Sequence, residues 1–396
     1  MKNDVYIVAA KRSPVGRAPK GQFSAIRADD IISQVTKGLL SNLPHFDYST
    51  INDLILGCAM PEGEQGLNLA RIVSLMSNLP TTVAGMTLNR FCASGLTAIE
   101  LAYQKIAIGS AQLVLAGGVE SMSRVPMGGF RSTLNPDFLL DPTGKTLALG
   151  MGQTAENLAK QWQISREEQD QYALTSHHRA LSAQQLGYFK EEIIPISAHQ
   201  NKLNLSNLTL SNDSVVITND ECPRTDSTYE SLSRLKPVFD VKGTVTAGNS
   251  SPLSDGAAML LLASETALHD HNMTPLARII GFHTTGVPPH IMGIGPVEAV
   301  PPLLHRHGIN RNELDWIELN EAFAAQVLAV QKTCQFDPDK LNPQGSAIAL
   351  GHPLGATGAI RATTLIHGLK RIKGRYGLVT LCVGMGQGIA ALFERV

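Results

Sequence analysis

The chain is poor in charge, in aromatic residues and in cysteine. Of its 396 residues 17% are charged, 5% are aromatic, and the formal net charge is −1. Near-neutrality excludes a global electrostatic pull toward nucleic acid or an anionic membrane, so an anionic ligand has to be held by local charges and helix ends. No apolar run approaches the roughly 20 residues that a membrane helix needs. The apolar stretch at 5–10 is too short for a secretion signal and reads as a buried strand. The final residues, FERV, match neither a peroxisomal tripeptide nor a prenylation box. These absences lead to the expectation of a reducing cytoplasm. The five cysteines are scattered and form no C-x-x-C pair, which argues against both a zinc site and a disulfide framework.

Apolar residues make up 43% of the chain, enough for a well-packed core. The length suggests two domains or one duplicated unit. The order of elements favours duplication. Cys92-Ala93-Ser94-Gly95 opens a helical pattern with Leu96, Ile99, Ala102, Tyr103 and Ile106, and a strand-like run at 113–116 ends in Gly117-Gly118. Much later, Gly355-Ala356-Thr357-Gly358 opens a helical pattern with Ala359, Ala362, Ile366 and Leu369, and a run at 378–383 ends in Gly384-Met385-Gly386. Upstream of each, DLILGCAM (53–60) and DWIELNEA (315–322) read as strands running into polar loops. Such alternation points to an α/β architecture with largely parallel central strands. Between the halves, about 121–245, turn-forming residues accumulate and 201–219 reads as polar and irregular. One helix stands out there, with Ser165 as N-cap, Glu167 and Glu168 in its first turn, and a run through Ala180. The expected organisation is an N-terminal half at 1–120 completed by 246–270, an excursion at 121–245 over the site, and a C-terminal half at 271–396.

Most lone cysteines are small buried hydrophobes, and Cys58, Cys222 and Cys334 are read so. Cys92 differs because it begins a helix in a small-residue turn, where unpaired amides and the helix dipole favour a thiolate. Cys382 differs because three glycines follow within six residues. His352, between Gly351 and Pro353, cannot sit inside a regular helix and occupies a turn. The residues alone leave a structural or a chemical role open for it. Together the segments suggest sulfur chemistry on an acyl group, with backbone amides available to a developing oxyanion.

Seven blocks in order carry a resemblance across essentially the whole chain: NRFCASGL (89–96), GGVESMSRVPM (117–127), TVTAGNSSPLSDGAA (244–258), MGIGPVEA (292–299), NEAFAAQ (320–326), SAIALGHPLGATGA (346–359) and CVGMGQG (382–388). The chain resembles the thiolase family. The resemblance implies two βαβαβαββ halves in a five-layer αβαβα arrangement with an inserted loop domain. It implies Cys92 as the nucleophile that carries the acyl group, and His352 as its base. It also implies that His352 and a water held by Asn320 form one oxyanion hole, that the amides of Cys92 and Gly384 form a second, and that Cys382 is the second acid/base. No permanently bound cofactor is implied; coenzyme A and acyl-CoA are substrates. Arg224 and Ser251 fall at coenzyme A contact positions. Ser231 and Phe239 would line the adenine and pantetheine path, and Met151, Phe323 and Leu253 the tunnel. Assembly as a homodimer or homotetramer is implied, and a complex with a hydratase–dehydrogenase chain is left open.

Three departures from the family pattern stand out: Ser346 and Met385 where glycine is usual, and Gly150 before Met151, where short-chain biosynthetic members carry histidine. Gly150 and the RVPM segment (124–127) favour 3-ketoacyl-CoA thiolase over acetyl-CoA acetyltransferase. A non-catalytic acyl-CoA or sterol binder would be favoured had Cys92, His352 or Cys382 been missing, and all three are present.

Overall fold

The computed structural model describes residues 3–43, 46–204 and 209–396. Strands β1 (Val5–Arg12), β2 (Gly16–Arg17), β3 (Asp53–Gly57), β4 (Ala84–Leu88) and β5 (Leu113–Ser121) are interleaved with helices α1 (Ala28–Ser41), α2 (Leu69–Met76) and α3 (Ser94–Ala107). Helices α4 (Pro136–Leu140), α5 (Pro142–Leu147), α6 (Met151–Gln161) and α7 (Arg166–Gln185) follow, then β6 (Ile196–Asn204), β7 (Thr209–Ile217) and α8 (Tyr229–Ser233). After β8 (Ser254–Ser264) and α9 (Glu265–Asp270), the chain forms β9 (Ala277–Gly286), α10 (Gly295–His307), β10 (Leu314–Leu319) and α11 (Ala324–Cys334). It ends with α12 (Ala347–Leu350), α13 (Leu354–Ile372), β11 (Tyr376–Val383) and β12 (Gln387–Arg395).

Pairing shows the duplication directly. From a shared seam the N-terminal strands run β1-β8-β5-β3-β4 and the C-terminal strands run β9-β12-β11-β10. Moving outward from the seam, both halves have two antiparallel pairings followed by parallel ones. The place of β4 is taken in the second half by a single parallel bridge, Ile317 to Leu341. The seam is short: β1 meets β9 only through Tyr6–Arg278 and Ile7–Ala277. In the second half a three-residue turn, Gly384-Met385-Gly386, joins β11 to β12. In the first half the matching β5–β8 connection is opened into the whole segment 122–253.

Alternation along the strands builds the layers. Leu113 and Leu115 face a core shared with α1 and α2, whereas Val114 and Ala116 face the core formed with α3 and α13. Strands β10 and β11 likewise direct Leu319 and Leu378 toward α10 and α11, and Val379 and Leu381 toward α13. The result is helix, sheet, helix, sheet, helix, with α3 and α13 buried in the middle.

Two local expectations are refined. Ser165 does cap α7, in a reciprocal box with Glu168, but the helix runs on to Gln185. The stretch expected to be irregular instead contains a hairpin, in register from Ile196–Ile217 to Asn204–Thr209; positions 205–208 lie outside the described residues. Its base is fixed because Ile196, Ala198 and Ile217 are buried in the core beside α1.

Glycine sets how closely the central helices meet. A Cβ on Gly95 would lie 2.8 Å from the Gly355 carbonyl oxygen, and one on Gly358 would lie 2.5 Å from the Leu96 amide nitrogen. One on Gly118 would lie 2.2 Å from that same Gly355 oxygen. These obstacles are backbone atoms, which cannot swing aside. We predict that Gly358→Ala destabilises the protein. Helix propensity would favour alanine by about 1 kcal/mol, but overpacking costs about 1–3 kcal/mol. The unfolding midpoint in urea should fall; one equal to or above the parent's would mean that the helices have room to part.

Candidate active site

The same helix contact brings two candidate catalytic side chains to one cavity, because Cys92 lies two residues before α3 and His352 two residues before α13. The chain turns sharply at 91–93, with Phe91 at a left-handed φ of 45°. The Phe91 amide donates to Asn89 Oδ1 (2.7 Å), and Ser94 Oγ accepts from the Arg90 amide (2.8 Å) while donating to the Phe91 carbonyl (2.7 Å). Cys92 therefore belongs to a 3-10 turn that precedes α3 rather than to the helix itself.

Burial pushes the Cys92 thiol up to about 11, and the amides of Gly384 and of Cys92 itself act against that shift. The expectation that the helix start favours a thiolate is corrected: desolvation outweighs the amides. Cys382, buried at the end of β11, is pushed up further, first by burial and then by the nearby charge of Cys92. Among the described residues Cys58 and Cys222 are buried as expected, and Cys334 is partly buried.

His352 is held on three sides. Gly351 before it has φ 94°, and a Cβ there would lie 2.6 Å from Ser254 Oγ, so a glycine is required. The His352 amide donates to Ser254 Oγ (3.1 Å). Ring atom Nδ1 lies 2.7 Å from Thr357 Oγ1, and Nε2 lies 3.3 Å from Asn320 Nδ2. Burial, and secondarily the positive charge of Arg361, pull the imidazole down to about 3. The resting pair is thus a neutral thiol and a neutral imidazole. Asn320 is buried, and its Oδ1 has no hydrogen-bond partner among the described residues.

Carboxylates brace the surrounding loops. Glu120, buried at the end of β5, accepts from the amides of Ala59 (2.7 Å), Met60 (3.2 Å) and Gly355 (2.8 Å), and from Gln65 Nε2 (2.9 Å). It thereby satisfies an otherwise unpaired amide at the start of α13. Glu321 accepts from Tyr172, Ser176, Asn342 and the Ile348 amide, which fixes the loop after β10. Ser346 places its hydroxyl 3.4 Å from the buried Arg361, itself paired with Glu318.

One cavity of about 540 Å³ is lined by Cys92, His352 and Cys382. Met151, Phe239, Ser251, Leu253, Phe323 and Arg224 also line it. Asn320 stands behind His352, and the Gly384 amide is directed at the Cys92 sulfur. Phe239 and Phe323 meet edge to face, 6.1 Å apart. Ser231 lines an adjoining pocket with Arg224, Arg17 and His177; its own hydroxyl donates to the Thr228 carbonyl. Sequence reasoning missed Arg17, which lines both hollows, and Met122 and Met292 in the main one. It also left Glu120, Ser254 and Thr357 without a role, although all three fall inside the quoted blocks. Arg17 carries no local signal; only the fold brings it to the mouth.

Comparison with known proteins agrees with this geometry. The family model described as "Thiolase, N-terminal domain" matches residues 5–266, and that described as "Thiolase, C-terminal domain" matches 273–395. A beta-ketoadipyl-CoA thiolase of Pseudomonas aeruginosa is 44% identical, with 100% of both chains covered. A 3-ketoacyl-CoA thiolase of Bacillus subtilis is 42% identical, with 99% of each covered. The crystal structure of human mitochondrial 3-ketoacyl-CoA thiolase has a TM-score of 0.89 at 38% identity, covering 100% of this chain and 99% of that one. On this combination of duplicated fold, site and matched sequence, the chain belongs to the thiolase family, whose members are acyltransferases.

Proposed function

We propose that this protein is a 3-ketoacyl-CoA thiolase that cleaves 3-oxoacyl-CoA with apolar acyl chains, releasing acetyl-CoA and transferring the shortened acyl group to coenzyme A. The observation that carries this reading is the single cavity in which two cysteines and a neutral histidine meet an apolar lining.

His352 Nε2 takes the Cys92 proton, and the sulfur attacks the C3 carbonyl. Charge on that oxygen falls to the amides of Cys92 and Gly384. The C2–C3 bond then breaks and leaves an enolate of acetyl-CoA. Its oxygen faces His352 and a water on Asn320 Oδ1, and its carbon takes the proton of Cys382. Incoming coenzyme A gives its thiol proton to the Cys382 thiolate and its sulfur attacks the acyl group on Cys92. As that bond breaks, Cys92 recovers the proton held by His352. A high resting thiol pKa suits Cys382 as the proton donor.

The name beta-ketoadipyl-CoA thiolase on a 44% identical relative raises a different substrate, one whose tail ends in a carboxylate. Among the described lining residues the charged side chains are Arg17 and Arg224. Both arginines also line the adjoining pocket with Ser231 and thus suit the phosphates of coenzyme A. Met122, Met127, Met151 and Met292 contribute to the cavity, a flexible apolar surface for an alkyl chain. Self-association is part of the proposal, supported by a structural relative described as the dimeric peroxisomal thiolase of Saccharomyces cerevisiae.

Cys92→Ala should abolish turnover with an unchanged circular dichroism spectrum. In the parent, iodoacetamide should label Cys92 first, and acyl-CoA should protect it. Because the thiol sits at about 11, labelling should speed up steadily with pH and show no plateau near neutrality. A plateau near neutrality would mean a preformed thiolate–imidazolium pair.

Cys382→Ser should still be acylated at Cys92 by acyl-CoA, yet should lose C–C cleavage and deuterium exchange into the acetyl methyl group. Normal exchange would remove Cys382 from the proton path.

For substrate choice, kcat/KM should rise from 3-oxobutanoyl-CoA to six- to ten-carbon 3-oxoacyl-CoA, by a few-fold per carbon, since a buried methylene contributes about 0.8 kcal/mol. It should be lower for 3-oxoadipyl-CoA than for 3-oxohexanoyl-CoA. Gly150, with φ −64° and only Gln153 Oε1 at 3.7 Å from an added Cβ, can carry a side chain. Gly150→His should shift preference back to four carbons. A preference for 3-oxoadipyl-CoA would overturn the apolar-chain reading.

A further inference from the structure

We infer that Thr357 is a positioning residue that locks His352 in the tautomer with its proton on Nδ1, leaving Nε2 unprotonated to receive the Cys92 proton. The inference deepens the function proposed above and rests on it for its kinetic consequence, but not for the tautomer itself.

The argument is a count of protons. Thr357 Oγ1 has two neighbours at hydrogen-bond distance, the Pro353 carbonyl oxygen at 2.9 Å and His352 Nδ1 at 2.7 Å. A hydroxyl has one proton to give. The carbonyl can only accept, and it takes the hydroxyl proton alongside the amides of Ala356 (2.9 Å) and Thr357 (3.0 Å), as a threonine bonding back one helical turn does. The bond to Nδ1 then has to run the other way, with Nδ1–H donating to Oγ1. Nε2 is left as an acceptor, and the Asn320 Nδ2 that faces it at 3.3 Å is a donor. Thr357 is buried and lies off the cavity, so bulk water does not compete for its hydroxyl.

The bond also survives the reaction. When Nε2 takes the proton from Cys92, Nδ1 keeps its own, and Thr357 continues to accept it. A neutral hydroxyl does this without the negative charge that would stabilise an imidazolium at rest. It fits a histidine that stays uncharged until the thiol gives up its proton. The first turn of α13 carries Thr357, so the same helix start that positions His352 also selects its tautomer.

The test reads the ring nitrogens directly. In the 15N-histidine-labelled parent protein at neutral pH, His352 should show a protonated Nδ1 and an unprotonated Nε2, assigned by loss of its signals in His352→Asn. A protonated Nε2 in the resting parent would overturn the inference, whatever the enzyme's substrate. Thr357→Val keeps the shape of the side chain and removes the hydroxyl; it should show mixed tautomers. Its acylation rate from acyl-CoA should fall by about ten- to a hundredfold, the range seen when a partner that orients a histidine is lost, with KM little changed. Thr357→Ser should restore both the tautomer and the rate. A purely structural threonine would instead give a Val variant with a lower melting point but the parent's tautomer and kcat, and that result would also overturn the inference. If the Val variant fails to fold, the parent spectrum and the Ser variant still decide.

Discussion

The backbone-to-backbone approach of α3 and α13 is the constraint on which the rest depends. Gly95 and Gly358 remove the Cβ atoms that would hold the two helix starts apart, and Gly118 and Gly355 let the start of α13 approach β5 and the loop after β3. Each half of the chain delivers one candidate catalytic residue just ahead of its own central helix, Cys92 in one and His352 in the other. Duplication alone would leave them on separate units. Close packing of the two helix starts turns two similar crevices into one site. The loops that lead into them are then held by buried carboxylates, Glu120 on one side and Glu321 on the other.

Burial governs the chemistry of that site. Removal from water raises both thiols and lowers the imidazole, and the directed amides of Gly384 and Cys92 only moderate the effect at Cys92. In the proposed reaction a neutral thiol would give its proton to a neutral imidazole as the acyl carbonyl is attacked, when the amides acquire an oxyanion to stabilise. Donors already in place need no reorganisation at that moment. Arg361 contributes at longer range, since its buried positive charge disfavours protonation of His352 while Glu318 holds it in place.

The long segment 122–253 occupies the position that a three-residue turn fills in the other half. Met151, Arg224, Phe239, Ser251 and Leu253 come from this segment and line the cavity. An added Cβ on Gly152 would lie 2.2 Å from the Phe239 ring, so glycine lets the ring lie against α6, and Phe239 in turn meets Phe323 from the C-terminal half. The wall of the cavity is thus a packed joint between the inserted segment and the second half.

Much was legible from the residues alone. The repeated order of small-residue turn, helix, strand and glycine turn identified the duplicated α/β units, because strand and helix periods survive in a single chain. The glycine-flanked Cys92, His352 and Cys382 stood out for the same local reason, and the quoted blocks supplied Asn320 and Gly384. Other features had no local trace. The hairpin at 196–217 was hidden by a polar composition, and its base is fixed by a core contributed by distant residues. Arg17 joins the mouth only through the fold. The sign of the Cys92 shift was decided by desolvation, a property of everything packed around the thiol, whereas the sequence shows only the neighbouring turn. Residue type and spacing determined which groups are available and which elements carry them. The tertiary structure decided which groups meet and how dry they are, because those depend on contacts between residues far apart in the chain.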